Sequence, residues 1–352
     1  MSEIVLLGFY GVVLLGAFYL LYFFSEHYFI PSLDDIGKRF NLSSDISGAT
    51  LMAAGSSAPE LAVVVVSLLK TGNHQSIGIG TIVGSALFNL FVIVGAVMLV
   101  KPNKKMMWQP LVRDLVFYAL SVLLLVYSFW DGRFSLWEAA SFVGAYGVYF
   151  GTMFIWKRWF PYKDTETQNS AVEEPDMNSF DRFLKRLIPT VGNLYIAFVL
   201  NIIVIGLLSW VLVTSAIRVS SILGVPEIII ALTVIALGTS VPDLTASVIV
   251  ARQGRPGMAV NNAVGSNIFD ILIGLGLPFL MLFIFSTGFV PVENNTLVVS
   301  FVLLTGSIVI LITGFLLSNW KTGKLPGLIL IILYCVYLLY QIAMATGFSI
   351  GR

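Results

Sequence analysis

Long apolar runs separated by short polar ones dominate this chain. Ten of them, at roughly 4–24, 46–69, 77–100, 111–130, 135–156, 191–217, 227–250, 259–285, 296–318 and 326–346, are long enough to be membrane spans, since a helix needs about 20 mostly apolar residues to cross a bilayer. Outer-membrane strands would be about half that length and would alternate in polarity, and these runs do not. The pattern predicts an all-α polytopic membrane protein of ten transmembrane helices. Two of the runs are interrupted near their middles, by "GSSAPE" at 55–60 and by "GTSVPD" at 238–243.

Composition agrees with the pattern: of 352 residues, 57% are hydrophobic and 11% charged. The net charge of +1 implies no nucleic-acid or other polyanionic partner. Cys335 is the single cysteine, so no intrachain disulfide forms. The first run follows Ser2 and Glu3 instead of a basic segment, and it reads as a span, not a signal peptide.

Basic residues divide unequally between alternate connections. Lys38 and Arg39 in 25–45, four residues in 101–113, six in 157–190, Arg252 with Arg255, and Lys321 with Lys324 lie on one side. The other side receives only Lys70, Arg133, Arg218 and Arg352. Positive loops stay in the cytoplasm, so both termini are expected outside a cell (plasma) membrane. The polar connection at 158–190 is then a cytoplasmic linker between a first five-helix unit at 1–157 and a second at 191–352.

The two units resemble each other. "ATLMAAGSSAPELAVVVVSL" (49–68) aligns with "LTVIALGTSVPDLTASVIVA" (232–251), and "GSALFNLFVIVG" (84–95) with "GSNIFDILIGLG" (265–276). Glu60 thereby pairs with Asp243, and Asn89 with Asp270. With five spans per unit, the copies enter the membrane from opposite sides, the inverted-repeat plan of secondary transporters with a site near the midplane.

Glu60, Asp243 and Asp270 fall well inside spans, where each carboxylate costs a few kcal/mol and usually marks an ion or proton path. Three anions in one dry region repel unless a cation meets them. Pro59 and Pro242 lack an N–H, so the carbonyls of Gly55 and Gly238 lose their helical partner. Carboxylates, hydroxyls, amides and carbonyls make an all-oxygen set suited to hard cations, and no Cys or His stands in either repeat to suit zinc or copper. Gly84, Gly265, Gly274 and Gly276 read as close-packing positions between helices. His27, His74 and the acids Asp34, Asp35 and Asp45 read as solvated loop residues, and Lys70, Arg252 and Arg255 as interface anchors.

The quoted blocks, dense over about 46–95 and 227–280, are similar to the two alpha repeats of the cation/Ca2+ exchanger superfamily, above all to its potassium-dependent sodium/calcium exchanger branch. The resemblance implies exchange of Na+ for Ca2+ by alternating access, with these ions as cargo and no cofactor. It implies that Glu60 and Asp243 are the paired acids for Ca2+ and Na+. Ser56, Ser57, Thr239, Ser240 and the carbonyls of Ala53 and Ala236 would add oxygens around them, and Ser85, Ser266, Asn89 and Asn267 would complete the cavity. Asp270 is associated with K+ co-transport, because potassium-independent relatives carry asparagine there. Animal members carry a long region between the halves, and here only about 35 residues stand there. A Ca2+/H+ or Na+/H+ antiporter would use the same acids. A passive channel and an aspartyl protease built on Asp243 and Asp270 fit less of the pattern, the latter because it leaves Glu60 and the repeat unexplained. The expected partners are inorganic cations and the bilayer, with no obligatory protein subunit.

Overall fold

A computed structural model describes residues 3–39, 51, 53–161, 178–187, 193–285, 288–292 and 294–345. Helix α1 (Glu3–Phe24) runs through a π-helical turn at Ser25–Phe29 into α2 (Ile30–Arg39). Helices α3 (Ala53–Ser56) and α4 (Ala58–Leu69) are separated by Ser57 alone. Next, α5 (Gln75–Phe88), a π-turn at Asn89–Ile93 and α6 (Val94–Val100) make one rod. Helices α7 (Trp108–Phe129) and α8 (Leu136–Trp159) flank strand β1 (Arg133–Ser135). After α9 (Ser179–Leu187) comes α10 (Leu194–Leu223).

The second half repeats the motif. Helix α11 (Glu227–Ile230), a π-turn at Ala231–Ile235 and α12 (Ala236–Thr239) precede α13 (Val241–Arg252). Then follow α14 (Pro256–Phe269), a π-turn at Asp270–Leu275, α15 (Gly276–Phe285), β2 (Phe289–Pro291), α16 (Asn294–Leu317) and α17 (Lys324–Ala345). Local chemistry sets several ends. Ser135 and Glu138 form a capping box at the start of α8. Asn193 accepts the N–H groups of Tyr195 and Ile196 at the start of α10, and Gly224 closes that helix in the left-handed region, φ 65°.

Among the described residues eight helices are long and apolar enough to span a membrane, and nine if the pair broken at Ser240 and bent by 42° counts as one. Ala58–Leu69 is a shorter apolar helix, and the start of the run predicted at 46–69 lies largely outside the described residues. The chain is therefore a mostly helical polytopic membrane protein. A small two-stranded antiparallel pair, with Phe134 opposite Val290, adds to the all-α expectation.

Contacts between connections bring distant segments together. Beyond β1 and β2, Met106 N–H donates to the Trp320 carbonyl, and Lys104 N–H to the Thr322 hydroxyl. His74 meets Glu227 at 2.9 Å, so it is partnered rather than freely solvated. The first span is longer than its apolar run suggests, because 25–39 stays helical. This corrects the reading of His27 as a loop residue: it is helical, its side chain is 6% exposed, and it lies 3.9 Å from Asp181. Asp35 likewise sits on a helix, whereas Asp45 and the Asp34 side chain lie outside the described residues. Within the linker, α9 docks on the first span, where the Tyr19 hydroxyl donates to Asp181 at 2.5 Å. Arg255 is buried beside Gln253 and Met258, not an interface anchor, whereas Lys70 sits 4.4 Å over the Trp210 ring.

Most buried hydrophobic side chains among the described residues fall into two clusters. One joins α4 to α8 with α11 to α17, and the other is built around α1, α2 and α10. Small residues allow helices to approach where no hydrophobic drive exists in lipid. A Cβ at Gly84 would stand 2.4 Å from the Leu232 carbonyl oxygen, one at Gly80 2.8 Å from Ala231 Cβ, and one at Gly276 2.8 Å from Phe142 Cβ. Gly274 is also close, 3.2 Å from Ile82. Gly265 departs from the expectation, since its added Cβ would meet only the Tyr149 hydroxyl at 4.0 Å.

Candidate ion-binding site

The site is built at two one-residue breaks with nearly the same backbone. Ser57 has φ −86°, ψ 4° and Ser240 φ −84°, ψ 5°, each followed by proline in the first turn of the next helix. Around each break the same bonds recur: Ser57 N–H to the Ala53 carbonyl and Leu61 N–H to Ser57, Ser240 N–H to Ala236 and Leu244 N–H to Ser240. Proline removes the N–H that Gly55 or Gly238 would accept four residues on, so the helix interrupts there and restarts. Each restart carries an acid in its first turn, Glu60 in α4 and Asp243 in α13, where the positive end of the helix dipole favours negative charge.

Two hydrogen-bond networks surround the acids, and every predicted side chain in them is buried. Glu60 Oε1 accepts from Ser240 Oγ at 3.1 Å and Ser85 Oγ at 3.4 Å, and Ser85 also reaches the Ala236 carbonyl at 3.5 Å. Asp243 Oδ1 accepts from Ser266 Oγ at 3.2 Å, and its Oδ2 from Asn89 Nδ2 at 3.1 Å. Asn89 Nδ2 also donates to Asn267 Oδ1 at 2.9 Å, and Asn267 Nδ2 to the Ala86 carbonyl at 3.1 Å. Ser56 Oγ lies 3.4 Å from Ser266 Oγ and 3.3 Å from the Ala53 carbonyl. The pairs Glu60–Ser85 and Asp243–Ser266 occupy matching places in the aligned blocks.

Not every predicted oxygen is directed at the two acids. Thr239 turns its hydroxyl back on its own helix, toward the Ile235 and Ala236 carbonyls. The carbonyls of Ala53 and Ala236 are not free: each accepts a backbone N–H and a side-chain hydroxyl, from Ser56 at Ala53 and from Ser85 and Thr239 at Ala236. Ser57 Oγ, Glu60 Oε2, Asn89 Oδ1 and both Asp270 carboxylate oxygens are buried with no hydrogen-bond partner. Buried polar atoms are nearly always satisfied, so a cluster of orphans needs a physical reason. Among the described residues no Lys or Arg forms an ion pair with any of the three acids, and no three His, Cys, Asp or Glu side chains gather into one metal group. A cation here would be shared by one or two carboxylates and completed by neutral oxygens, a donor set that fits hard cations.

Acids not singled out in the sequence include Asp114, which is buried, and Glu26, which is half-buried. Asp114 is 2.7 Å from Arg113 Nε and accepts the Tyr149 hydroxyl at 3.1 Å; it lies at the polar edge of an apolar run, beside its own counter-ion. Glu26 follows the first run and was read as part of a connection; the helix continuing through it gave no compositional signal.

Fold and site together define a polytopic helical membrane protein with a buried, oxygen-lined ionic centre. The family described as sodium/calcium exchanger protein matches residues 10–155 and 193–343, and the chain belongs to that family, one of membrane ion transport by antiport. It is 26% identical to mouse sodium/potassium/calcium exchanger 4, over 95% of this chain and 82% of that protein. It is 28% identical to human sodium/potassium/calcium exchanger 5, over 92% and 81%. Among solved structures, a sodium-calcium exchanger, NCX_Mj, soaked with Na+ and Sr2+ shares the fold at TM-score 0.57 and 23% identity, covering 99% of each chain. An H+/Ca2+ exchanger, CAX, does so at TM-score 0.65 and 15% identity, over 96% of this chain and 82% of that one.

Proposed function

We propose that this protein is a secondary active antiporter that exchanges Na+ for Ca2+, with K+ carried alongside Ca2+, by alternating access at the site of Glu60 and Asp243. The observation that carries the reading is the pair of like-built helix breaks, each presenting one carboxylate, around buried oxygens with no partner. Na+ and Ca2+ would compete for the same oxygens, so loading one set excludes the other. An empty site would leave buried anions uncompensated, which disfavours a return without cargo. Asp270, whose oxygens lack partners, is assigned to K+, since Ca2+ with K+ balances three carboxylates.

The reading includes ten spans as two inverted five-helix repeats, with both termini outside the cell. It is supported by contacts between connections assigned to one side: 101–107 with 320–322, and β1 with β2. The first and sixth spans, which pack together in one hydrophobic cluster that also takes in residues of the second, third and seventh spans, would move against the remaining helices.

Ca2+ uptake into proteoliposomes loaded with Na+, compared with K+ or choline outside, tests the proposal. Uptake should require internal Na+ and be stimulated by external K+. Uptake driven by a pH difference and indifferent to Na+ would assign protons as the coupling ion instead.

A further inference from the structure

The first span lies across both helix breaks. Its Phe18 ring would be 2.2 Å from a Cβ at Gly238, and Ile30 and Leu33 would be 3.1 Å and 2.9 Å from one at Gly55. The missing side chains at the two glycines are therefore filled by this one helix. Between the contacts, the helix widens into the π-turn Ser25–Phe29. π-turns inside helices are rare and recur at functional sites. Here others fall at Asn89–Ile93, Ala231–Ile235 and Asp270–Leu275, two of them opening on predicted ion-site residues and the third ending next to Ala236.

Glu26 sits in the first-span π-turn. Four residues before Ile30, it shares the side of the helix that covers Gly55. Its Oε2 is buried with no hydrogen-bond partner, yet the residue as a whole stays partly exposed. The same stretch of the first span packs through Ile30 and Leu33 on Gly55 and through Phe18 on Gly238, the glycines of the two breaks that carry Glu60 and Asp243. A carboxylate within a span is costly and marks an ion path unless a partner satisfies it. Of the other titratable groups around this turn, Tyr19 and His27 face Asp181, Tyr22 packs edge-on to His27, and Tyr28 packs on Phe23 and Phe24.

We infer that Glu26 is a further cation-binding residue of the ion path, holding a hard divalent cation as it passes between solvent and the Asp243 side of the buried site. The inference rests on the exchange reading above. It assigns a role in entry and release, separate from the central acids, to the helix that packs on both breaks. One carboxylate oxygen is already buried without a partner, and the residue as a whole is half-buried.

The test is Na+-driven Ca2+ uptake by the full-length protein in proteoliposomes at varied external Ca2+. Glu26→Gln should raise the apparent KM for Ca2+ by about five-fold, the order expected for one lost charge near a cation in a medium of intermediate dielectric, with the maximal rate held within about two-fold. Glu26→Asp should keep the KM near the starting value. A KM unchanged in Glu26→Gln, or a fall in maximal rate shared by Glu26→Asp, would overturn the inference. Glu26→Cys in a Cys335→Ala background gives a second measurement, since Cys335 is the chain's one native thiol. A sulfonate-bearing thiol reagent should restore Ca2+ affinity, and a trimethylammonium-bearing one should not. No reaction with either, or the same effect from both, would also overturn it. If the unsubstituted protein shows no Na+-driven uptake, the exchange reading itself has failed; normal exchange with an indifferent Glu26→Gln removes only Glu26.

Discussion

Glu60 and Asp243 hold matching places but have different hydrogen-bond surroundings. Glu60 accepts only from hydroxyls and keeps one oxygen without a partner, whereas both Asp243 oxygens are engaged, one by an amide. Glu60→Gln keeps an acceptor for Ser240 and Ser85 but removes the charge a cation would meet. Uptake is expected to fall by about 100-fold or more, as for loss of a charge worth nearly 3 kcal/mol. Normal flux in that variant would contradict the central role of Glu60. Asparagine has the shape of aspartate without its charge, and no Lys or Arg forms an ion pair with Asp270 among the described residues, so Asp270→Asn should keep Na+-driven Ca2+ uptake and lose the response to K+. A K+ response equal to that of the unsubstituted protein would withdraw Asp270 from the K+ assignment.

At the scale of elements, the informative contact is the seating of the first span on the α12–α13 break. Gly238→Ala places a methyl carbon 2.2 Å from Phe18, and overpacking of this kind costs about 1–3 kcal/mol. The thermal midpoint of the purified protein should fall, and replacing Phe18 by leucine in the same chain should recover part of the loss. Independent, additive effects of the two substitutions in a double-mutant cycle would show that the contact does not form. Gly265→Ala, by contrast, has open space around it and should leave the midpoint unchanged. The four glycines look alike in the sequence; what distinguishes them is which neighbour each faces, and periodicity carries no record of that.

For the whole molecule, the prediction concerns sidedness. With Cys335 replaced, single cysteines at Lys70 or Arg133 should react with an impermeant reagent added to intact cells, and those at Lys104 or Lys185 only after permeabilisation. The reverse pattern would invert the proposed orientation. Pairing of β1 with β2 and of Lys105 with Lys321 joins connections that the charge count had already assigned to common sides.

Much of this protein was decided by local pattern. Spans are legible because about 20 consecutive apolar residues have few other uses. The site was legible because polar residues inside such runs are costly and stand out, and because the second copy at 238–243 repeats the first. Tertiary structure decided the rest. It carried the first helix past its apolar run to Arg39, set α9 against Tyr19 and His27, and buried Arg255. It also laid the first span across both helix breaks, Phe18 against Gly238 and Ile30 against Gly55, and buried one oxygen of Glu26 between those contacts. The physical division is one of range: hydropathy and backbone chemistry act over a few residues and can be read along the chain, whereas the partner of a buried polar atom is fixed only when distant helices pack.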